Sequence, residues 1–374
     1  MKVKILHDVP VSRNIDGAAP ATCAYPLSTV LPDGTIVTVY RGGEAKHTYD
    51  GVLMSQRSTD MGSTWSEPQV LFNGTGLAEP QSVTSGGAAV AADGSILAMF
   101  KTTVVSTPDS YVYSDAGRTQ KCLIYSVSSR DGGASWSEPA GVDAGRDQKV
   151  GVTTKPLLLP SGRMFVPLEA GGGDVITTLG AFADERGQIQ GPFRELGLDD
   201  RDRQLDHCDA RFASMGDQVL ALLWTFRHDN ERTVQVHRAV SADEGETWSR
   251  PAPIAILGQI TAPLVLDGQT VIAASNYRLQ PPGVRLWCST DGAQNWQVPP
   301  IQMWDPKQER ILGESMTTST EDRPDDGVWD ALDEFTFGTP DLVRLADGSI
   351  VLTYYGTANG VQHVRACRFE VQVD

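Results

Sequence analysis

Carboxylates, imidazoles and cations gather at strand ends in this chain, and they are the residues able to do chemistry. Asp50 and Glu44 share the segment Arg41-Gly42-Gly43-Glu44-Ala45-Lys46-His47-Thr48-Tyr49-Asp50, which also carries Arg41 and His47. Glu169 ends the apolar run of Pro167-Leu168-Glu169-Ala170 beside Gly171, Gly172 and Gly173. Burial there would raise its pKa, and backbone with so little bulk would let a substrate come close. His207 and Asp209 are two apart, so on a strand they share a face and form either a base oriented by a carboxylate or two metal ligands. No HxH or HExxH spacing accompanies them, and neither a metal nor a cofactor is expected. Lys101, Lys155, Arg227 and Arg278 supply positive charge for an anionic substrate, and Tyr277 adds a phenol.

These residues must be positioned by short strands and tight turns, since Gly 37 and Pro 22 punctuate brief Val, Ile, Leu and Thr runs. One box recurs four times. Ser58-Thr59-Asp60-Met61-Gly62-Ser63-Thr64-Trp65 is echoed at Ser129 to Trp136, Ser241 to Trp248 and Ser289 to Trp296, the last with Ala293 in place of Gly. Each box follows a strand and reads as a hairpin turn. Its Asp accepts from the turn's own N–H groups, its Gly takes a positive φ, and its Trp packs on a neighbour. Asp184-Glu185-Arg186-Gly187 stands where a degraded copy is expected. A second turn signal interleaves at Asp33-Gly34, Asp93-Gly94, Ser161-Gly162, Gly216-Asp217, Asp267-Gly268 and Asp347-Gly348.

Four-stranded units of roughly 50 residues are propeller blades. The pattern predicts an all-β, six-bladed β-propeller over residues 1–374, closed by Lys2 to His7 pairing with the last blade, with an acidic insertion at about 304–335. That insertion carries Glu314, Glu321, Asp322, Asp325, Asp326 and Asp330. Both turn families follow odd-numbered strands and lie at one end of the disc. The opposite end collects the openings of the inner strands and the second-to-third-strand connections, where the candidate residues converge on a concave, polar floor.

Composition narrows the partners. Lys plus Arg total 31 against 47 Asp plus Glu, a net charge of −16 that repels a phosphate backbone, so nucleic acid is not expected. No apolar run approaches the roughly 18 residues of a membrane span. The first residues lack the apolar stretch of a signal peptide, and Cys23, Cys122, Cys208, Cys288 and Cys367 are odd in number and widely spaced. They read as free thiols of a cytoplasmic protein, secreted or periplasmic only if a leader has been removed.

The boxes and the repeated four-stranded units resemble the sialidase (neuraminidase) superfamily over essentially the whole chain. The box is a structural turn, and proteins without catalysis carry it too. The resemblance implies an arginine where Ala24-Tyr25-Pro26 stands, and that arginine is missing. It implies an acid in the connection holding Asp50, with Glu44 as a rival. It also implies cations matched by Arg227 and Arg278, and a carboxylate near Asp209. Its tyrosine nucleophile would fall in Phe335-Thr336-Phe337-Gly338-Thr339-Pro340, which has no Tyr.

The expected activity is therefore cleavage of a terminal acidic sugar from a glycan or glycoside, by a sialidase-like hydrolase that is not a strict sialidase. Arg41, Arg227 and Arg278 would bind the carboxylate, Asp50 or Glu44 would be the acid, and Asp209 or Glu169 the base or nucleophile. One alternative is a lyase acting on uronates, with His207, Lys155 or Tyr277 removing the proton α to the carboxylate. The other is a glycan-binding propeller without catalysis.

Overall fold

A computed structural model describes residues 1–12, 21–105, 121–143, 149–171, 176–196, 200–316 and 336–373. The chain opens with β1 (Lys2–Pro10) and then runs through β2 (Thr22–Val30), β3 (Ile36–Gly43), β4 (Val52–Ser58) and β5 (Gln69–Asn73). Next come β6 (Gln81–Val90), β7 (Ile96–Val104), β8 (Cys122–Ser129) and β9 (Ala140–Val142). A group of β10 (Lys149–Gly151), β11 (Leu157–Leu158), β12 (Met164–Gly171), β13 (Ile176–Ala183) and β14 (Ile189–Glu195) follows. After a 3₁₀ turn at Arg201–Arg203 stand β15 (Leu205–Met215), β16 (Gln218–Arg227), β17 (Gln235–Ser241) and β18 (Ala252–Leu257). The chain continues through β19 (Thr261–Val265), β20 (Val271–Tyr277), β21 (Gly283–Ser289), β22 (Ile301–Asp305) and β23 (Arg310–Ser315), and ends on β24 (Phe337–Arg344), β25 (Ile350–Ala358) and β26 (Val361–Gln372).

The fold is an all-β propeller of antiparallel meanders. Hydrogen bonding joins the strands into five sheets rather than the six separate ones expected. A single parallel bridge, Thr22↔Gln362, links β2 to β26 and so merges β24-β25-β26 with β2-β3-β4-β5 in one eight-stranded sheet. β1 also belongs to that sheet, pairing with β26 from Lys2↔Gln372 to Pro10↔Arg365. The first part of the expected insertion is strand structure: Trp304 lies in β22, and β23, which carries Glu314, is the fifth strand of the separate sheet β19-β20-β21-β22-β23. Glu321, Asp322, Asp325, Asp326 and Asp330 lie outside the described residues.

Apolar side chains fill the spaces between successive meanders. Leu97 and Met99 on β7 meet Val166 and Leu168 on β12, while Trp304 on β22 packs in one cluster with Tyr354 on β25 and Phe369 on β26. Strands buried on both faces explain continuous apolar runs such as Val219 to Leu223. The boxes form as local chemistry dictates. Asp60 Oδ1 accepts from Ser58 Oγ and the Thr64 N–H, and Gly62, at φ 84°, donates its N–H to Ser58 Oγ. The same bonds recur around Asp131, Asp243 and Asp291, with Ala293 tolerating φ 65°. Asp184 makes the degraded copy, accepting from the N–H groups of Arg186 and Gln188. No disulfide joins the five cysteines among the described residues, and all but Cys122 are buried.

Candidate functional site

Three inner strands break register at the same level and aim side chains into one central pocket. β2 slips between Ala24 and Leu27, β15 between Cys208 and Arg211, and β24 between Gly338 and Asp341. Each slip contains a non-glycine residue in the left-handed region: Tyr25 at φ 59°, Asp209 at 47° and Thr339 at 43°. All three line the pocket. Such conformations cost of order 1–3 kcal/mol each and persist where the surroundings hold them, typically at functional sites.

The bulge in β15 overturns the expected alternation. Cys208 and Asp209 line the pocket, whereas His207 points away, bonding Thr225 Oγ1 through Nδ1 at 2.8 Å and facing Asp200 Oδ2 at 3.5 Å. His207 and Asp209 therefore do not share a face. Burial pushes the Cys208 thiol well up, with the Asp209 and Glu169 charges adding to it, which keeps it a neutral wall residue.

Glu169 and Asp209 make the acidic side of the pocket. The Asp209 N–H donates to Glu169 Oε2 at 2.9 Å, and Arg211 Nη1 lies 3.6 Å from Asp209 Oδ1 while donating to the Asp209 carbonyl at 3.0 Å. Burial, then the Asp209 charge, pushes Glu169 up to about 7, against the pull of the Asp209 N–H and the charges of Lys101 and Arg211. A carboxyl group so placed exchanges a proton near neutral pH. A Cβ at Gly151, which pairs with Glu169 across β10 and β12, would meet the Lys101 stem, and Lys101 lines the pocket.

A second group lines the same pocket. The Tyr25 hydroxyl and His47 Nε2 are 2.5 Å apart, and their rings stack with centroids 6.0 Å apart. Tyr355 sets its edge on Tyr25, accepts from Arg278 Nη2 at 3.1 Å, and has Lys46 Nζ 5.9 Å from its ring centre. Arg278 Nη1 also donates to Gln259 Oε1 at 2.9 Å. Burial pushes His47 down to about 2, helped by the charges of Lys46, Arg41 and Arg278, so its imidazole is neutral. Burial raises Tyr355, against the Arg278 charge.

Of the residues singled out from sequence, Glu169, Asp209, His47 and Arg278 meet at this pocket, and Lys101 joins them. The others stand elsewhere. Arg41 is buried and donates to the carbonyls of Val83, Ala45 and Thr48, which makes it the brace of its loop. Asp50 accepts from the Glu44 N–H and from Thr48 Oγ1 in that loop, and the Glu44 side chain is exposed. Arg227 pairs with Asp229 on the surface at 3.0 Å. Lys155 is bound to Asp341 at 2.8 Å and to the Ser28 carbonyl. Tyr277 is buried with the Arg285 guanidinium 4.2 Å over its ring. Gly172 and Gly173 lie outside the described residues. Sequence reasoning assigned no role to Tyr25, Lys46, Arg211, Thr339 or Tyr355. The Tyr-Pro step after Ala24 and the position of Arg211 two residues beyond Asp209 were the available signals. Among the described residues no three His, Cys, Asp or Glu side chains cluster to hold a metal ion.

The box turns mark a repeat propeller, and the profile of the BNR repeat-like domain family matches residues 34–352, so the chain belongs to that family. Among solved structures it is similar to a Dyadobacter fermentans protein of unknown function, at 19% identity and TM-score 0.74 over 99% of this chain and 100% of that one. It is also similar to a Hadza microbial sialidase (13%, TM-score 0.68, 96% and 68%). The intramolecular trans-sialidase from Ruminococcus gnavus, solved with oseltamivir carboxylate, is a third (13%, TM-score 0.64, 96% and 97%). At these identities the likeness is one of fold. No curated protein matches the sequence.

Proposed function

We propose that the protein is a sialidase-like glycoside hydrolase that takes a terminal acidic sugar into the central pocket and cleaves it from a glycan or glycoside. The observation that carries this reading is Glu169, pushed up to about 7 beside Asp209 in a pocket that also holds Lys46, Lys101, Arg211 and Arg278. The protonated carboxyl group donates to the glycosidic oxygen as the bond breaks, and its carboxylate then takes a proton from the attacking water. Asp209 offers negative charge to the sugar ring as positive charge develops there. The cations hold the substrate carboxylate, with Arg278 presenting a planar fork of donors already oriented by Gln259 and Tyr355.

This reading includes a six-bladed count, in which the eight-stranded sheet is two blades joined by one bridge and β1 completes the last. Six core clusters, each lying between two successive meanders, support it. The test is to incubate the protein with a panel of acidic glycosides and measure release of the reducing acidic sugar. Binding without release by the wild type would assign the pocket to glycan recognition instead.

A further inference from the structure

We propose that the Tyr25–His47 pair gives this pocket a further activity, β-elimination from a uronate substituted on the oxygen β to its α-carbon. The inference rests on the pocket's holding an acidic sugar, and it goes beyond hydrolysis. Hydrolysis by Glu169, Asp209 and water leaves the pair without a task, yet the chain holds it tightly. Tyr25 takes a left-handed backbone conformation at its bulge, and its hydroxyl sits 2.5 Å from the ring nitrogen of a buried His47.

Burial, then the charges of Lys46, Arg41 and Arg278, keep His47 a neutral imidazole. In the elimination Tyr25 acts as the phenolate. His47 then donates Nε2–H to the phenolate oxygen, which fixes its tautomer and orients the base. The phenolate removes the proton from the carbon next to the substrate carboxylate. Arg278 and the lysines neutralise that carboxylate, so the enolate charge is stabilised where it forms. The carbon–hydrogen pair becomes the new carbon–carbon double bond as the β carbon–oxygen bond breaks, and Glu169 gives its proton to the leaving oxygen. Tyr25 ends protonated and Glu169 ionised, and proton exchange with water after product release restores both. A sugar whose carboxyl group sits on a fully substituted anomeric carbon has no such hydrogen. The inference therefore selects uronates among acidic sugars.

The experiment supplies an oligouronide and follows the ultraviolet absorbance of the unsaturated product, with calorimetric binding of a uronic acid monosaccharide alongside. Tyr25→Phe keeps the ring and is expected to lower the elimination rate at least about 100-fold, the usual contribution of a positioned base. Monosaccharide affinity should stay within about threefold if the variant is folded. Deuterium on the α-carbon should slow the wild-type reaction. His47→Ala should lower the elimination rate while monosaccharide affinity holds, because the Tyr25 oxygen loses the partner that orients it. Binding without any unsaturated product, or an unchanged rate in Tyr25→Phe, overturns this inference alone. A wild type that binds no acidic monosaccharide overturns the reading of the pocket itself.

Discussion

The backbone N–H of Asp209 donates to Glu169 Oε2 at 2.9 Å, tying the tip of one carboxylate to the backbone of the other acidic residue. The bond exists because Asp209 occupies a left-handed bulge that turns its N–H toward β12. It partly offsets the cost of ionising Glu169 in a buried place, yet burial and the Asp209 charge prevail, and the group stands near 7. Glu169 is thus both the most perturbed carboxyl group of the pocket and one whose perturbation has a named geometric cause.

Replacing Glu169 by Gln should lower kcat by about 10²–10⁴-fold on an acidic glycoside, the range for a lost general acid–base. The wild-type pH profile should carry a limb near 7 that the variant lacks. Stability gives a second readout with a defined sign. The folded value is raised above that of an unfolded Glu, so the native state holds the extra proton between roughly 4.5 and 7 and loses that stabilisation as pH rises through this window. Denaturant midpoints of wild type and Glu169→Gln should therefore diverge across the window, with the wild type declining. Parallel midpoints would place Glu169 in ordinary solvent.

The box aspartates should matter to folding and not to turnover. Asp60 accepts three bonds inside its turn, from Ser58 Oγ, the Thr64 N–H and Thr64 Oγ1. Asp60→Ala should cost roughly 1–3 kcal/mol, seen as a lower Tm, with unchanged activity per folded molecule. A loss of turnover at full stability would contradict the structural role.

The box turns were legible in sequence because their bonds are local: Ser, Asp and Gly within a few residues close the turn with their own backbone. Strand parity was likewise enough to bring Glu169, Asp209, His47 and Arg278 to one end. The bulges were not legible, since register slips at Tyr25, Asp209 and Thr339 depend on pairing partners far along the chain, and one slip reversed the relation of His207 to Asp209. Nor was the capture of Lys155 by Asp341, 186 residues away, or the diversion of Arg41 to three carbonyls of loop and strand. Residue type marks a side chain as able to do chemistry, but the unmet hydrogen-bonding needs of distant backbone decide whether it is free to do it.

Sialosides should be poor substrates. Ala24 is fully buried where the resemblance to sialidases implies an arginine, and the segment Phe335 to Pro340 at the last inner strand has no tyrosine. Release of 4-methylumbelliferone from its sialoside should fall well below the 10⁴ M⁻¹s⁻¹ typical at the lower end of enzyme efficiency. Turnover at or above about that value would show that other groups of the pocket replace both.

Arginines 227 and 278 look alike in sequence, each closing the second strand of its meander, but the structure separates them. Arg278 lines the pocket with one nitrogen on Gln259 and another on Tyr355, so its fork is held at fixed orientation before substrate arrives. Arg227 lies on the surface, paired with Asp229 two residues on, where solvent and salt screen the interaction. Lysine cannot reproduce a planar fork. Arg278→Lys should therefore cost about 2 kcal/mol or more in transition-state binding of an acidic glycoside, while its neutral isostere is indifferent to the change. Arg227→Lys should leave kcat/KM for both substrates within about twofold, as exposed ion pairs contribute little. The measurement is kcat/KM for the two substrates in wild type and both variants, with melting curves to confirm folding. Equal losses on both substrates in Arg278→Lys would make this arginine a brace for Tyr355, and a selective loss in Arg227→Lys would move the carboxylate site out of the central pocket.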